Sequence, residues 1–460
     1  MPRGLWHEEV DLIVVGASVA GLAAAAVAAD RGCRTVVVER AKDVGGGAAA
    51  EPEYVAAAGT RFQKAAGIGD APARLVDDVL AATRAAVEPD VAAAVAEQGP
   101  AVVAWLADRC GVPIALVGGR VGRGHSAARL HAPGERGGAG LVADLARAAG
   151  RHARVAVRTG AAVERLVIDE TGAVRGVAVR GDRRGVPHAT GGRVLLACGG
   201  FVGEQALVAE HCPAIADLPY HGAATATGEG LRLGREARAA TRRLGSCLVT
   251  PFLATPGGLA VTAPLVDLGA VLVNQAGRRF VRETDEPLPL ASAIRATPGR
   301  MAYLLFDERI AQAARAVDPF FAHVVLPRAG RRGATLAHLA RQMELDLDGL
   351  QATIAATGAD PFGREPPPAS LEPPLHAIRV SGARWRTLGG LAVDVAARVL
   401  DDGGRPIPGL YAAGGAAAGL GGDGTDGLLA GVDTLTALAL ARLAALDISA
   451  AVAADAEQAG

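Results

Sequence analysis

Residues Asp11 to Arg40 form a glycine-punctuated unit that leaves the chain few ways to fold. Asp11 to Val15 is a short apolar run of the kind a buried strand shows. Gly16 to Gly21 reads as a turn, Leu22 to Arg31 as an Ala-rich helix, and Thr35 to Glu39 as a second strand ending in an acid. A complete β-turn-α-β unit within about 30 residues is a dinucleotide-binding pattern. The turn is Val14-Val15-Gly16-Ala17-Ser18-Val19-Ala20-Gly21, in which Ser18 stands where the usual fingerprint has its middle glycine. Gly16 makes the tight turn, and Gly21 lets helix and strand approach closely. The N–H groups at the helix start then face a pyrophosphate. Ser18 is small enough to permit that approach, and its hydroxyl is expected to donate to phosphate. Glu39, followed by Arg40, fits the ribose-binding acid in type and spacing.

The fingerprint alone allows either NAD or FAD, and the C-terminal region favours FAD. Ile407-Pro408-Gly409-Leu410-Tyr411-Ala412-Ala413-Gly414 is a strand running into glycines, and the Gly-rich stretch 419–427 leads into a last helix read as Asp426 to Leu443. A helix N-terminus carries partial positive charge and favours a reduced, anionic flavin placed against it. Asp426 is a candidate N-cap there.

Other segments fill in the organisation. Residues 70–110 are expected to be helical, split at Pro89 with Asp90 as N-cap. From Arg154 the period becomes two, giving expected strands at Val155 to Arg158, Ala162 to Ile168, Val174 to Arg180 and Val194 to Ala197. These read as a small meander returning to a buried strand at Cys198-Gly199-Gly200. Residues 246–371 are denser in proline and mix short strands (Ala270 to Asn274, Ala302 to Phe306) with helices such as Leu336 to Met343. Pro366, Pro367, Pro368, Pro373 and Pro374 form a stiff boundary. Strands of the first domain are expected again at Gly389 to Val393 and Leu410 to Ala413. The expected class is α/β: a Rossmann-like FAD-binding domain (1–245 and 372–460) with an inserted α+β capping domain (246–371).

Composition narrows the partners. A net charge of −1 gives no electrostatic case for nucleic acid or an anionic membrane. The five cysteines lie at no metal or haem spacing, and no metal is expected. No secretory signal is visible in Met1 to Val10, and the longest apolar runs are Ala-rich and shorter than the ~18 residues a span needs. The chain reads as soluble and cytoplasmic.

The chain resembles the fumarate reductase/succinate dehydrogenase flavoprotein superfamily, in particular its soluble branch of fumarate and urocanate reductases, tricarballylate dehydrogenase and 3-ketosteroid dehydrogenases. The likeness rests on the Gly16 fingerprint with Glu39-Arg40, on Ala58-Gly59-Thr60-Arg61-Phe62-Gln63, and on Gly124-His125-Ser126 with Arg129 and His131. It continues through Ala197-Cys198-Gly199-Gly200-Phe201, Thr227-Gly228-Glu229-Gly230, Gly269 to Phe280, Thr387-Leu388-Gly389-Gly390 and Pro406 to Gly414. The resemblance implies a non-covalent FAD with contacts at Gly16, Ser18, Ala20, Gly21, Glu39, Arg40, Gly46, Val163, Gly199, Gly228, Gly389, Gly414, Leu428 and Leu429. It also implies a mobile capping domain with substrate at the interface.

The catalytic positions depart from that family. Its proton-shuttling Arg falls at Pro287, its capping-domain His at Thr250, its hinge His at Arg386, its carboxylate-binding Arg near Thr425, and an acid at Ala263. A missing Arg leaves a bound carboxylate uncompensated, at a cost of several kcal/mol. A small dicarboxylate is therefore not the expected substrate. The ketosteroid dehydrogenases' capping-domain Tyr also falls near Pro287, and no Tyr follows Tyr411. The remaining proton-transfer candidates are Tyr220, His221, Arg386 and Asp423, with Glu286 behind them. His125 and His131 serve packing or the interface. The expected reaction is dehydrogenation or reduction of a carbon–carbon bond next to a carbonyl, in a mostly neutral small molecule, cyclic or not. Electrons then pass to or from an external carrier. Alcohol or amine oxidation, a flavin-assisted isomerisation, and flavin binding without chemistry are the alternatives.

Overall fold

In the computed structural model the described residues are 8–118, 121–180, 188–220, 222–261, 264–356, 360–365, 368, 370–425 and 427–459. The first strand is Glu8–Val15, the first helix Val19–Asp30 and the second strand Thr35–Val38. The two strands pair in parallel, with Val15 opposite Val38. Leu12, Ile13 and Val14 are fully buried, as expected of a parallel strand covered on both faces. The helix is capped by Ser18, whose hydroxyl oxygen accepts from the Gly21 N–H at 3.3 Å. Every residue of that helix except Asp30 is buried. Its alanines let it lie close to the sheet on one side and to the C-terminal helix on the other.

The main sheet has eight strands. Its path runs Arg398–Leu400, Pro406–Ala412, His188–Leu196, Glu8–Val15, Thr35–Val38 and Val155–Arg158. All but the first are parallel. Val163–Ile168 and Val174–Val179 form an antiparallel hairpin that continues onto the outer part of His188–Leu196. The expected meander is corrected at both ends. Val155–Arg158 belongs to the parallel sheet, and Cys198 to Gly200 is a turn rather than a strand, because the chain must leave the sheet there to pass the Gly16 turn.

Three other local readings shift. Pro89 opens the helix Pro89–Trp105 at its first position, with Glu88 as N-cap, so Asp90 is a first-turn acid. The closing helix is Val432–Ala459, later and longer than expected, and Asp426 lies outside the described residues. That helix is also long and apolar enough over Val432–Gln458 to cross a membrane, contrary to the sequence estimate. Leu435, Leu438, Ala439, Leu440, Ala441, Ala444, Ala445 and Ile448 are buried in the same core as the first helix, which accounts for the apolarity.

The second sheet is antiparallel. Its order is Leu259–Ala260, Cys247–Ala254, Leu375–Thr387, Ala302–Asp307 and Val271–Val273, with Gly330–Gly333 also pairing on Leu375–Thr387. It has its own core around Tyr303, Phe306, Phe320 and Phe321, separate from the core of the main sheet. The 13-residue strand Leu375–Thr387 sits at the centre of this sheet. We propose that the inserted module therefore ends after Thr387 rather than at the prolines near 371. The two connections run side by side. Cys247 pairs with Thr387, Thr241–Arg242 pairs with Gly390–Leu391, and a Cβ on Gly389 would lie 1.9 Å from the Arg243 carbonyl oxygen.

Candidate active site

A narrow groove of about 100 Å³ opens where the first strand passes into the first helix. Gly16, Ser18, Glu39, Arg40, Gly46, Val163 and Gly199 line it, with Cys198, Thr225 and Glu229. Gly16 has φ +102, and a Cβ there would lie 2.6 Å from the Ala197 carbonyl oxygen. A side chain at Gly46 or Gly199 would meet nothing within 4 Å, so both glycines face open space. Glu39 is fixed at the groove by two backbone amides, accepting from Ala17 N–H at 2.8 Å and Ala41 N–H at 2.7 Å. Each carboxylate oxygen keeps a lone pair for a ribose hydroxyl. This donor set fits the ribose and pyrophosphate of a dinucleotide. The Ser18 hydroxyl donates to the Ala197 carbonyl at 2.8 Å. Arg40 Nη2 donates to the Thr225 carbonyl and the Thr227 hydroxyl (2.6 and 2.8 Å), tying the opposite wall inward.

The other expected cofactor positions stand behind or beyond this groove. Ala20 and Gly21 are buried in the first helix, and Gly414 adjoins Ala20. Gly228 starts the helix Glu229–Glu236 with φ +78, Gly389 is pressed on Arg243, and Leu429 is buried.

Leu428 lines a second, larger cavity of about 490 Å³. Its walls come from the Glu51–Tyr54 loop, from Leu248 to Phe252 of one central strand, from Trp385 and Arg386 at the end of the other, and from Asp433 and Thr434 at the start of the closing helix. Thr250, Pro287 and Arg386, which lie far apart in sequence, meet here. Arg386 bridges both modules. It pairs with Glu51, with Glu53 and, at 2.9 Å, with Asp433. The Thr434 hydroxyl donates to the second oxygen of Glu53 at 2.7 Å. Three carboxylates thus share one guanidinium in a half-buried place. Burial pushes the Glu51 carboxyl up to about 8, with Arg386 opposing and Glu53 reinforcing the rise. Burial also raises the Arg386-independent acid of the opposite wall, Asp318, which accepts from the Phe321 N–H.

A family profile described as an FAD binding domain matches residues 11–425. The chain belongs to this FAD-binding family. It is 30% identical over 419 residues to a fumarate reductase (cytochrome) of Shewanella frigidimarina, covering 89% of this chain and 72% of that protein. The open conformation of a flavocytochrome c3 fumarate reductase superposes with TM-score 0.81 at 26% identity, covering 97% of this chain and 79% of the other. The 3-ketosteroid-Δ4-(5α)-dehydrogenase of Rhodococcus jostii RHA1, solved with 4-androstene-3,17-dione, superposes at 0.69 with 25% identity, covering 97% and 98%. FAD is the cofactor, and the protein is an FAD-dependent oxidoreductase.

Among the catalytic candidates of this FAD-dependent oxidoreductase, Arg386 alone is placed in the cavity wall among the described residues. His221 lies outside the described residues. Asp423 is exposed and away from the cavity lining. Tyr220 donates its hydroxyl to the Ala223 carbonyl at 3.0 Å and lies under the Arg384 guanidinium, 6.0 Å from it. Burial pushes its phenol up to about 12. That combination makes Tyr220 a poor proton donor near neutrality. Tyr220→Phe is expected to cost about 1 kcal/mol in a urea melt, the value of one neutral hydrogen bond. Activity should change less than threefold, and a hundredfold loss would restore Tyr220 as a catalytic group. Glu286 pairs with Arg123 at 2.7 Å, both exposed. His131 is locked between the Thr60 hydroxyl and the Val55 and Arg129 carbonyls. His125 contacts the Ala430 carbonyl through Nε2, and its Nδ1 has no partner among the described residues. Glu51, Glu53 and Asp433 escaped the sequence reading. Their one signal was Glu51-Pro52-Glu53-Tyr54, which interrupts an otherwise Gly/Ala-rich stretch after the fingerprint.

Proposed function

We propose that this enzyme dehydrogenates or reduces a carbon–carbon bond next to a carbonyl in a mostly neutral small molecule, cyclic ketones being the class best suited to the cavity. The observation that carries the reading is the state of Arg386. Gripping a carboxylate requires an arginine with free donors, and Arg386 is already held by Glu51, Glu53 and Asp433. The other cation among the described lining residues, Arg123, is exposed and paired with Glu286. A dicarboxylate entering here would meet three resident carboxylates. A neutral carbonyl compound instead meets Leu130, Leu248, Val249, Phe252, Val261 and Trp385. The steroid dione bound to the structural neighbour is a molecule of that kind.

The bound FAD supplies hydride transfer, and electrons leave or enter through an external carrier. This chain's own residues shape the cavity, exclude carboxylates and provide the proton-transfer group. Anaerobic mixing of the holoenzyme with 2-cyclohexenone, cyclohexanone and fumarate, followed by flavin absorbance, tests the reading. Reduced flavin reoxidised by the enone, or oxidised flavin bleached by the ketone, is expected, with fumarate inert. Fumarate reacting while both ketones fail would overturn it. Peroxide released with a simple alcohol or amine would move the assignment to an oxidase.

A further inference from the structure

We propose that Glu51 is the proton-transfer residue of this site, holding the proton that the carbon next to the substrate carbonyl gains or loses. The inference rests on the reaction class proposed above and deepens it. Glu51 lines the cavity with a largely buried side chain, 14% exposed. Its carboxylate is aimed by Arg386 through two hydrogen bonds, one of them 3.2 Å from Nε. Its backbone is held as well, since the Gly138 N–H donates to the Glu51 carbonyl at 2.8 Å. Position and orientation are therefore fixed before any substrate arrives, as proton transfer requires.

The charged surroundings supply a proton to move. Arg386 faces Glu51 from the second sheet, Asp433 from the closing helix and Glu53 from the same loop. The Tyr220 phenol senses its charge from a fourth direction. Three carboxylates on one guanidinium favour keeping one proton in the cluster. Glu53 and Asp433 each have a further favourable contact. Glu53 accepts from Thr434, and Asp433 lies in the first turn of a helix. Glu51 has neither, and its carboxyl is the one raised to about 8, so both its forms are populated near neutrality.

In the dehydrogenation direction, the C–H bond next to the carbonyl breaks and its proton bonds to the Glu51 carboxylate. The electron pair left behind would become the new C=C bond as the adjacent carbon gives up its hydride, which FAD held at the Gly16–Glu39 groove would accept. Reduction is the reverse, with neutral Glu51 giving its proton to the same carbon. Dehydrogenation should therefore rise as pH increases through about 8, and reduction should fall over the same range.

Glu51→Gln and Glu51→Asp holoenzymes, matched to wild type by flavin absorbance and by unfolding midpoint, test this with 2-cyclohexenone and dithionite-reduced enzyme. For Glu51→Gln the expected kcat is about 100-fold or more below wild type, with KM within threefold, and the pH limb is abolished. Glu51→Asp should recover part of kcat and display a displaced limb. A merely structural Glu51 would change stability while leaving the pH limb in place. Wild-type turnover matched by Glu51→Gln overturns the role of Glu51 and leaves the reaction class standing. A wild type inert to every ketone overturns the reaction class and this role with it. Should Glu51→Gln not retain flavin, Glu51→Asp carries the test through its displaced limb, and an unmoved limb in that variant counts against the proposal.

Discussion

Arg386→Leu is expected to lower the unfolding free energy by about 3–5 kcal/mol near pH 8, the range for removing one partner of a buried ion pair. The substitution takes away the one cation, among the described residues, that Glu51, Glu53 and Asp433 share at close range in the cavity. Leucine fills the volume and leaves three carboxylates facing one another with no counter-charge. The sign of the pH dependence follows. An unfolded Glu releases its proton near 4–4.5, while the same group in the folded variant holds its proton to a higher pH. Folding stability is then fully present below the unfolded value and is lost as pH rises through the folded one. The deficit relative to wild type should be small near pH 4.5 and deepest at about pH 8 to 9. Arg386→Lys should recover only part of it, because a single ammonium cannot reproduce a guanidinium shared among three acids. Urea unfolding at several pH values measures this directly. A pH-independent loss would mean that Arg386 contributes packing rather than charge.

The parts of this protein that could be read from sequence are those where chemistry and position coincide within a few residues. The Gly16 turn, the buried strands on either side and Glu39 lie within one βαβ unit, and local sterics dictate them. The same holds for Leu336–Met343 and Ala302–Asp307, where a clean period sits between clear breakers. The second boundary was read at the prolines near 370, which mark a stiff segment; the boundary proposed here lies after Thr387, where the strand pairing of the second sheet stops. Pairing partners over a hundred residues away leave no local mark. The cavity shows the same limit. Thr250, Pro287 and Arg386 could be marked as positions, but that Arg386 is neutralised depends on Asp433 from the closing helix and Glu51 from the second loop. Each of those acids, alone in sequence, looks like solvated surface. Tyr220 illustrates the converse. A tyrosine beside a histidine invites a catalytic reading, and its contacts with Ala223 and Arg384 are not legible from the sequence. Ser18 was read as a small residue whose hydroxyl donates to phosphate, and in the structure that hydroxyl donates to the Ala197 carbonyl across the sheet.

Gly21→Val should do the most damage to the cofactor site, although Gly21 lies behind the groove rather than among its lining residues. A Cβ at Gly21 would fall 2.0 Å from the Gly16 carbonyl oxygen and 3.0 Å from Val14 Cγ1. The first obstacle is backbone, which cannot rotate out of the way, so the helix Val19–Asp30 must lift from the strand Glu8–Val15. That movement separates alanines packed at van der Waals distance and withdraws the first-turn N–H groups from the groove. Overpacking of this kind costs about 1–3 kcal/mol in a yielding core and more where backbone is the obstacle. An unfolding loss of about 3 kcal/mol or more is expected, with no flavin retained after gel filtration. Gly46→Ala separates the two consequences. Its Cβ would meet nothing within 4 Å, and the cost is only that of holding an alanine at φ +60, about 1–2 kcal/mol. The protein should stay folded, and any loss of flavin from this variant reports on the groove itself. Equal flavin retention in Gly21→Val and wild type would show that the close contact of helix and strand is not what presents the N–H groups to FAD.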